Sequence, residues 1–227
     1  MSKNTTAKDP LSKHAARDAE ATKARIIEAA VEEFCRFGLQ GARTESIAAK
    51  TGVTKAMIHY YFESKEKLYK DVITHIVDRR QHRAGMLALE DLPPEEALRT
   101  YFVDLMDELL KRPSMPTILI YDGLQNRGQY YREAAAASLY DPLLGIVKRG
   151  MACGAFRQDL NPQHTAINLM GIAVFYVCNR DNLRSLWPDD PELDLMDPVF
   201  FQEHAHSAIE MACQSVLAPE GDKKGTA

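Results

Sequence analysis

The sequence predicts an all-α protein: an N-terminal three-helix helix-turn-helix domain followed by a larger C-terminal helical domain. Three observations carry this expectation. Apolar residues recur at helical spacing from about residue 22 onward. Prolines and capping residues punctuate the chain, and no stretch shows sustained alternation with β-branched residues, so no sheet is expected. Between Thr44 and Tyr61, two short helical segments stand back to back across Gly52 and Val53. That is the layout in which a second short helix enters a DNA major groove.

Composition sets outer bounds. The 227 residues are 45% hydrophobic and 26% charged, the ordinary mix of a globular chain with a sizeable core. The longest strongly apolar run, Leu169 to Cys178, is interrupted by Gly171 and is too short to span a bilayer. The N-terminus carries Lys3, Lys8 and Lys13 without the apolar stretch of a secretory signal. A cytoplasmic protein without a membrane partner is the expectation. Cys35, Cys153, Cys178 and Cys213 are scattered, with no CxxC pair, and read as buried free thiols rather than disulfides or zinc ligands. Net charge is −4 but uneven. Residues 1–80 hold 15 Lys+Arg against 11 Asp+Glu, and residues 81–227 hold 13 against 21. A positive front on an acidic body suits a protein that touches phosphates with one end.

The elements follow in order. Residues 1–20 are polar and aperiodic and are expected to form a disordered basic arm, either a frayed end or a strand lying on DNA. The helix-turn-helix domain is assigned to residues 21–68. Its first helix runs from about Thr22 to Phe37, burying Ile27, Ala30, Val31 and Phe34, and Gly38 ends it. Thr44 is expected to cap a short helix holding Ile47 and Ala48. Gly52 stands where the chain reverses, a place that often needs positive φ. Thr54 caps the recognition helix, which runs to about Tyr61. Ser64 caps the next helix, whose inner face is Leu68, Val72, Ile76 and Val77 and which ends near Arg83. The helical body is assigned to residues 69–218, with helices near 94–111, 115–126, 129–152, 162–186 and 198–217, and a disordered tail to 219–227. Pro94 suits a first helical position, with Glu95 and Glu96 in the first turn.

At this point the residues resemble a known family. The run GVTKAMIHYYFESKEKLY looks like the signature of TetR-family transcriptional regulators, and the upstream ARIIEAAVEEFCRFGLQGARTESIAAKTG resembles the rest of that family's DNA-binding domain. The match covers roughly residues 22–70; beyond residue 80 it is architectural. The resemblance implies a homodimer whose two readers enter successive major grooves of a pseudo-palindromic double-stranded operator. It also implies that the body holds a pocket for a small-molecule effector, of unknown identity, together with the dimer interface. Ligand binding would shift the fourth helix and release DNA.

The DNA-facing candidates are Arg43, Thr44, Thr54, Lys55, Ala56, His59, Tyr60 and Lys65. Lys55, Ala56 and His59 lie on the outer face of the recognition helix, opposite Ile58 and Phe62. Lys55 can donate to guanine O6/N7, and Ala56 can lie against a thymine methyl. Tyr60 matches the family's phosphate-contacting tyrosine, with core packing as the other reading. Thr44 and Lys65 stand at helix N-termini, where backbone N–H groups favour phosphate oxygens, and capping alone also accounts for Thr44. Arg43 adds a nearby charge. Lys23 and Arg25 either meet the DNA backbone or form a solvated face.

In the body, polar and aromatic residues set in apolar helices are candidates for the pocket: Tyr101, Met106, Tyr121, Asn126, Asn168, Tyr176 and Asn179. Plain core is the other reading for each. The last two helices carry apolar stripes, Ile167, Met170, Val174, Val177 and Phe201, Ala205, Ala208, Ile209, Ala212, Val216. They bury either against a second subunit or within one. His204 and His206 lie two apart on different helix faces, which disfavours a metal site. No catalytic motif of hydrolases, phosphate-loop proteins, zinc proteases or dinucleotide enzymes is present, so neither catalytic activity nor a cofactor is expected. The function expected is a ligand-released transcriptional repressor, the alternative being a DNA-bound adaptor whose body recruits a protein.

Overall fold

The computed structural model describes residues 10–219. Among them, helices follow one another as α1 (Pro10–Gly41), α2 (Thr44–Thr51), α3 (Lys55–Phe62), α4 (Lys65–Met86), α5 (Pro94–Lys111), α6 (Met115–Asn126), α7 (Gln129–Glu133), α8 (Asp141–Ala152), α9 (Pro162–Leu183) and α10 (Pro198–Val216). Short 3-10 turns occupy Ala136–Tyr140 and Arg184–Leu186. An isolated antiparallel bridge joins Phe156 to Leu217, tying the end of α10 to the turn after α8.

Two boundaries differ from expectation. First, α1 starts at Pro10, so the latter half of the expected arm is helix; residues 1–9 and 220–227 lie outside the described residues. Pro10 stands at the first helical position, and the Ala-rich stretch after it contains neither Gly nor Pro before Gly38. Second, the single helix expected over 129–152 is three pieces. Ala135 adopts a left-handed φ of 52°, and Pro142, which lacks an N–H, sits in the first turn of α8 and cannot continue an incoming helix. Gly38 breaks α1 as expected, with φ 64° and ψ −177°. Gln125 of α6 closes over it: a Cβ there would stand 2.5 Å from Gln125 Oε1.

The chain forms two packed cores. The reader core gathers Ile26, Ala30 and Phe34 of α1, Ile47 of α2, Ile58 and Phe62 of α3, and six consecutive inward positions of α4 from Leu68 to Val77. The centre of the α1 stripe is thus Ile26–Ala30–Phe34, with the expected Ile27 and Val31 only half-buried on its flank. Ile118 of α6 completes this core, and the Tyr69 hydroxyl donates to its carbonyl at 3.3 Å. The body core packs α5, α8, α9 and α10 together and takes in Ala84 near the end of α4. The division expected after residue 68 therefore falls inside α4, which belongs to both cores.

Cys35 and Cys213 are buried free thiols, but Cys153 is exposed, because it ends α8 at a turn. No helix among the described residues is long and apolar enough to cross a membrane.

Candidate nucleic-acid interface

The reading surface is set by caps and by one left-handed glycine. Gly52 ends α2 with φ 71°, a conformation that costs an L side chain energy, and turns the chain into α3. Thr54 caps α3, its Oγ1 accepting from Met57 N at 3.2 Å. Ser64 caps α4 in the same way, accepting from Lys67 N at 3.1 Å. Between these caps, α3 buries Ile58 and Phe62, one turn apart, and so presents Lys55, Ala56, Met57, His59 and Tyr60 to solvent.

The start of α2 is built differently from expectation. Arg43, not Thr44, occupies the cap position, with extended backbone and no side-chain cap. A buried carboxylate of another helix holds this cap residue: Glu33 of α1, 4% exposed, accepts the Arg43 backbone N–H at 3.0 Å. Thr44 is the first helical residue, and its hydroxyl lies 3.4 Å from Glu45 Oε2. The Lys65 ammonium donates to the carbonyls of Gln40 and Ala42, both at 3.3 Å, and holds the α1–α2 turn against the start of α4.

These elements converge. Arg43, Thr44, Lys55, His59 and Lys65 line one surface cleft of about 350 Å³, with Glu45, Ile58 and Ser64 between them. Thr54, Ala56 and Tyr60 are exposed beside it on α3 and its cap. Tyr60 is 80% exposed and touches Tyr61 edge-on at 5.3 Å, which removes the core-packing reading of that residue. Lys23 pairs with Glu20 at 3.5 Å. Arg25 lies apart, in a cleft between reader and body that also holds Lys50, Lys111 and Arg112.

Sequence reasoning missed Glu33, Glu45 and Met57. Glu45 forms an ion pair with Lys55 across the cleft, and Lys55 holds its carboxyl below the usual range. Nothing in local spacing announces that pair, because its members stand on different helices.

Hydroxyl, amide and cationic groups around a shallow cleft, beside a short solvent-facing helix, define a helix-turn-helix DNA-binding regulator. Residues 26–72 match the family described as "Bacterial regulatory proteins, tetR family", and residues 94–211 match "Tetracyclin repressor-like, C-terminal domain". The chain belongs to the TetR family. It is 33% identical over 174 residues to the HTH-type transcriptional repressor NicS of Pseudomonas putida, covering 75% of this chain and 82% of that one. It is 31% identical over 141 residues to the HTH-type transcriptional repressor SCO4008 of Streptomyces coelicolor, covering 62% and 70%. The ketosteroid transcriptional regulator KstR2 of Mycobacterium tuberculosis shares the fold, with a TM-score of 0.64 at 15% identity over 87% of this chain and 95% of that chain.

The seven pocket candidates line neither the DNA-facing cleft, nor the cleft between reader and body, nor the cleft between α4 and α8. Tyr101 and Met106 are core residues of α5. Tyr176 donates to the Leu195 carbonyl at 3.1 Å and stacks on His204 at 3.8 Å. Asn126 donates to Asp122 Oδ1 at 3.1 Å, and Asn179 back-bonds to the Phe175 carbonyl at 3.0 Å. Asn168 is exposed and Tyr121 half-buried. Where these polar groups bond, they do so within their own helix or to an adjoining loop, so apolar context alone could not reveal a shared cavity. A body cleft of about 720 Å³ lies elsewhere, between the end of α4, the 87–91 turn and α8, lined by Gln81, Leu89, Asp141, Ile146 and Arg149 among others.

The α10 stripe is also used within the subunit. Phe201, Ala208, Ile209, Ala212 and Val216 are buried in the body core, as is Val177 of α9. The apolar residues that α9 and α10 leave outside are Ile167, Phe175, Val199 and Met211.

Proposed function

We propose that this chain is a homodimeric transcriptional repressor whose hold on a pseudo-palindromic operator is set by a small molecule bound in the helical body. The observation that carries the regulatory part is the course of α4. This one helix begins at the Ser64 cap beside the DNA-facing cleft and ends at Met86 beside the body cleft. Its 22 residues span about 33 Å at 1.5 Å per residue. A ligand that binds one position of the far end better than another shifts the near end with it, and only that difference in affinity produces the shift.

The reading as a repressor is supported by the names of NicS and SCO4008. The dimer is supported by the family, whose members are typically dimers, and by the outward apolar residues of α9, with Ile167 56% and Phe175 61% exposed on either side of Gly171. A second reading, a DNA-bound adaptor, draws on another exposed pair, Ile120 and Leu124 of α6, the latter 77% exposed.

A reporter gene placed behind a duplex selected for binding tests the proposal. Expression of the protein should lower reporter output, and an effector should restore it. Raised output would make the protein an activator. Output lowered only in the presence of a further protein would favour the adaptor.

A further inference from the structure

Most cations of the DNA-facing surface are engaged inside the chain. Lys55 pairs with Glu45, Lys67 pairs with Glu63, and the Lys65 ammonium is held by two carbonyls. The Arg43 guanidinium has no carboxylate partner among the described residues. The Glu45–Lys55 pair differs from Glu63–Lys67. The second is an ordinary pair four residues apart on one stretch of chain. The first spans ten residues and bridges the first turn of α2 to the first residue of α3, across the cleft where DNA is proposed to sit. Glu45 therefore places a negative charge at the reading surface, where phosphates are expected.

We propose that Glu45 is a specificity-determining residue of the reader that acts by positioning Lys55. The proposal rests on the DNA-reading function above. Phosphates line every duplex, so a free lysine at the head of a recognition helix strengthens binding to all sequences alike. Glu45 removes that indiscriminate contribution by competing with phosphates for the Lys55 ammonium. A site that presents guanine O6 and N7 to Lys55 offsets the lost ion pair with directed hydrogen bonds, and a site without them does not. Discrimination comes from weakening the wrong complexes as well as from strengthening the right one.

The test is titration of full-length protein, by fluorescence anisotropy at several salt concentrations, against a random-sequence duplex and a duplex selected by the wild type. Glu45→Gln keeps the shape and removes the charge. It should bind the random duplex about fivefold more tightly per reader, with a steeper salt dependence, while the selected duplex gains less and the specificity ratio falls. Glu45→Asp should keep the ratio close to wild type. In a Lys55→Ala background, Glu45→Gln should leave the ratio unchanged. An equal gain in both backgrounds, or the same fall in ratio from Glu63→Gln, would show a general charge effect and overturn the proposal. A wild type that prefers no sequence would overturn the DNA-reading function itself. A wild type with a clear preference that Glu45→Gln leaves intact would overturn the role of Glu45 alone.

Discussion

Replacing Glu108 with alanine probes how the helix that carries the reader is tied to the body. Three arginines of α4 face three carboxylates of α5. Glu108 Oε2 lies 3.1 Å from Arg80 Nη1 and 3.8 Å from Arg83 Nε, and its Oε1 lies 3.5 Å from Arg79 Nε. Arg80 and Arg83 both pair with Asp104 as well, and Arg83 reaches Asp107 at 3.4 Å. Burial opposes ionisation of Asp104, yet Arg83 and Arg80 together hold its carboxyl below the usual range. The Arg80 guanidinium also lies 4.6 Å from the Tyr101 ring centroid. The Glu108 side chain is 2% exposed and that of Arg80 7%. Removing one partner of a buried pair costs about 3–5 kcal/mol. Asp104 stays with Arg80, and Arg79 and Arg83 reach solvent, so the low end applies, about 3 kcal/mol. For a chain of this size that is a drop in Tm of about 6–12 °C. Thermal and urea unfolding of Glu108→Ala read it directly. The diagnostic variant is Arg80→Met with Glu108→Leu, which removes both charges and fills the space. It should recover most of the loss, since a buried ion pair and an apolar pair of similar volume are close in stability. A double variant as unstable as Glu108→Ala would refute the argument that an orphaned charge causes the loss.

Other outcomes follow from the same structure. Thr54→Ala removes the α3 cap and should cost about 1 kcal/mol of stability by urea unfolding, together with a loss of operator affinity that Thr54→Ser largely restores. Phe175→Glu places a charge on the outward apolar face of α9 and should shift the protein toward monomer in sedimentation velocity; an unchanged dimer would move the interface elsewhere. His204 has a buried Nε2 without a partner, and burial lowers its pKa. The unfolded chain then binds the proton first as pH falls below the ordinary histidine value near 6.5, so the contribution of neutral His204 is fully present above that pH and is lost below it. Wild-type Tm should fall more steeply between pH 7 and pH 5 than that of His204→Phe, which keeps the stacking on Tyr176.

The reader was legible because each of its features is local in sequence. Caps at Thr54 and Ser64, the left-handed Gly52 and the Ile58/Phe62 face all lie within a few residues of the helices they shape, and the structure has each of them. The first miss there, Thr44 as a cap, came from long range: Glu33, ten residues before Arg43, accepts the Arg43 N–H and holds that residue, rather than Thr44, at the cap position. In the body, Asn126, Asn179 and Tyr176 interrupt apolar helices; Asn126 and Asn179 bond one turn back within their own helices, to Asp122 and to the Phe175 carbonyl, while the Tyr176 bond to the Leu195 carbonyl is visible only once helix and loop are packed. The α10 stripe posed a different problem. Periodicity reports that Phe201, Ala208 and Val216 are covered, and it is silent on whether the cover is the same subunit or another. The break between α7 and α8 was written in the sequence at Pro142, which lacks the N–H needed to continue an incoming helix.

Selection of binding sites by the purified protein from random duplex DNA, read by sequencing, tests the central claim most directly. A pseudo-palindrome should emerge, with half-sites about one helical turn or more apart, and its guanine preference should weaken in Lys55→Ala. A folded dimer that enriches no sequence, or one whose enriched site is indifferent to every substitution on the exposed face of α3, would contradict the account.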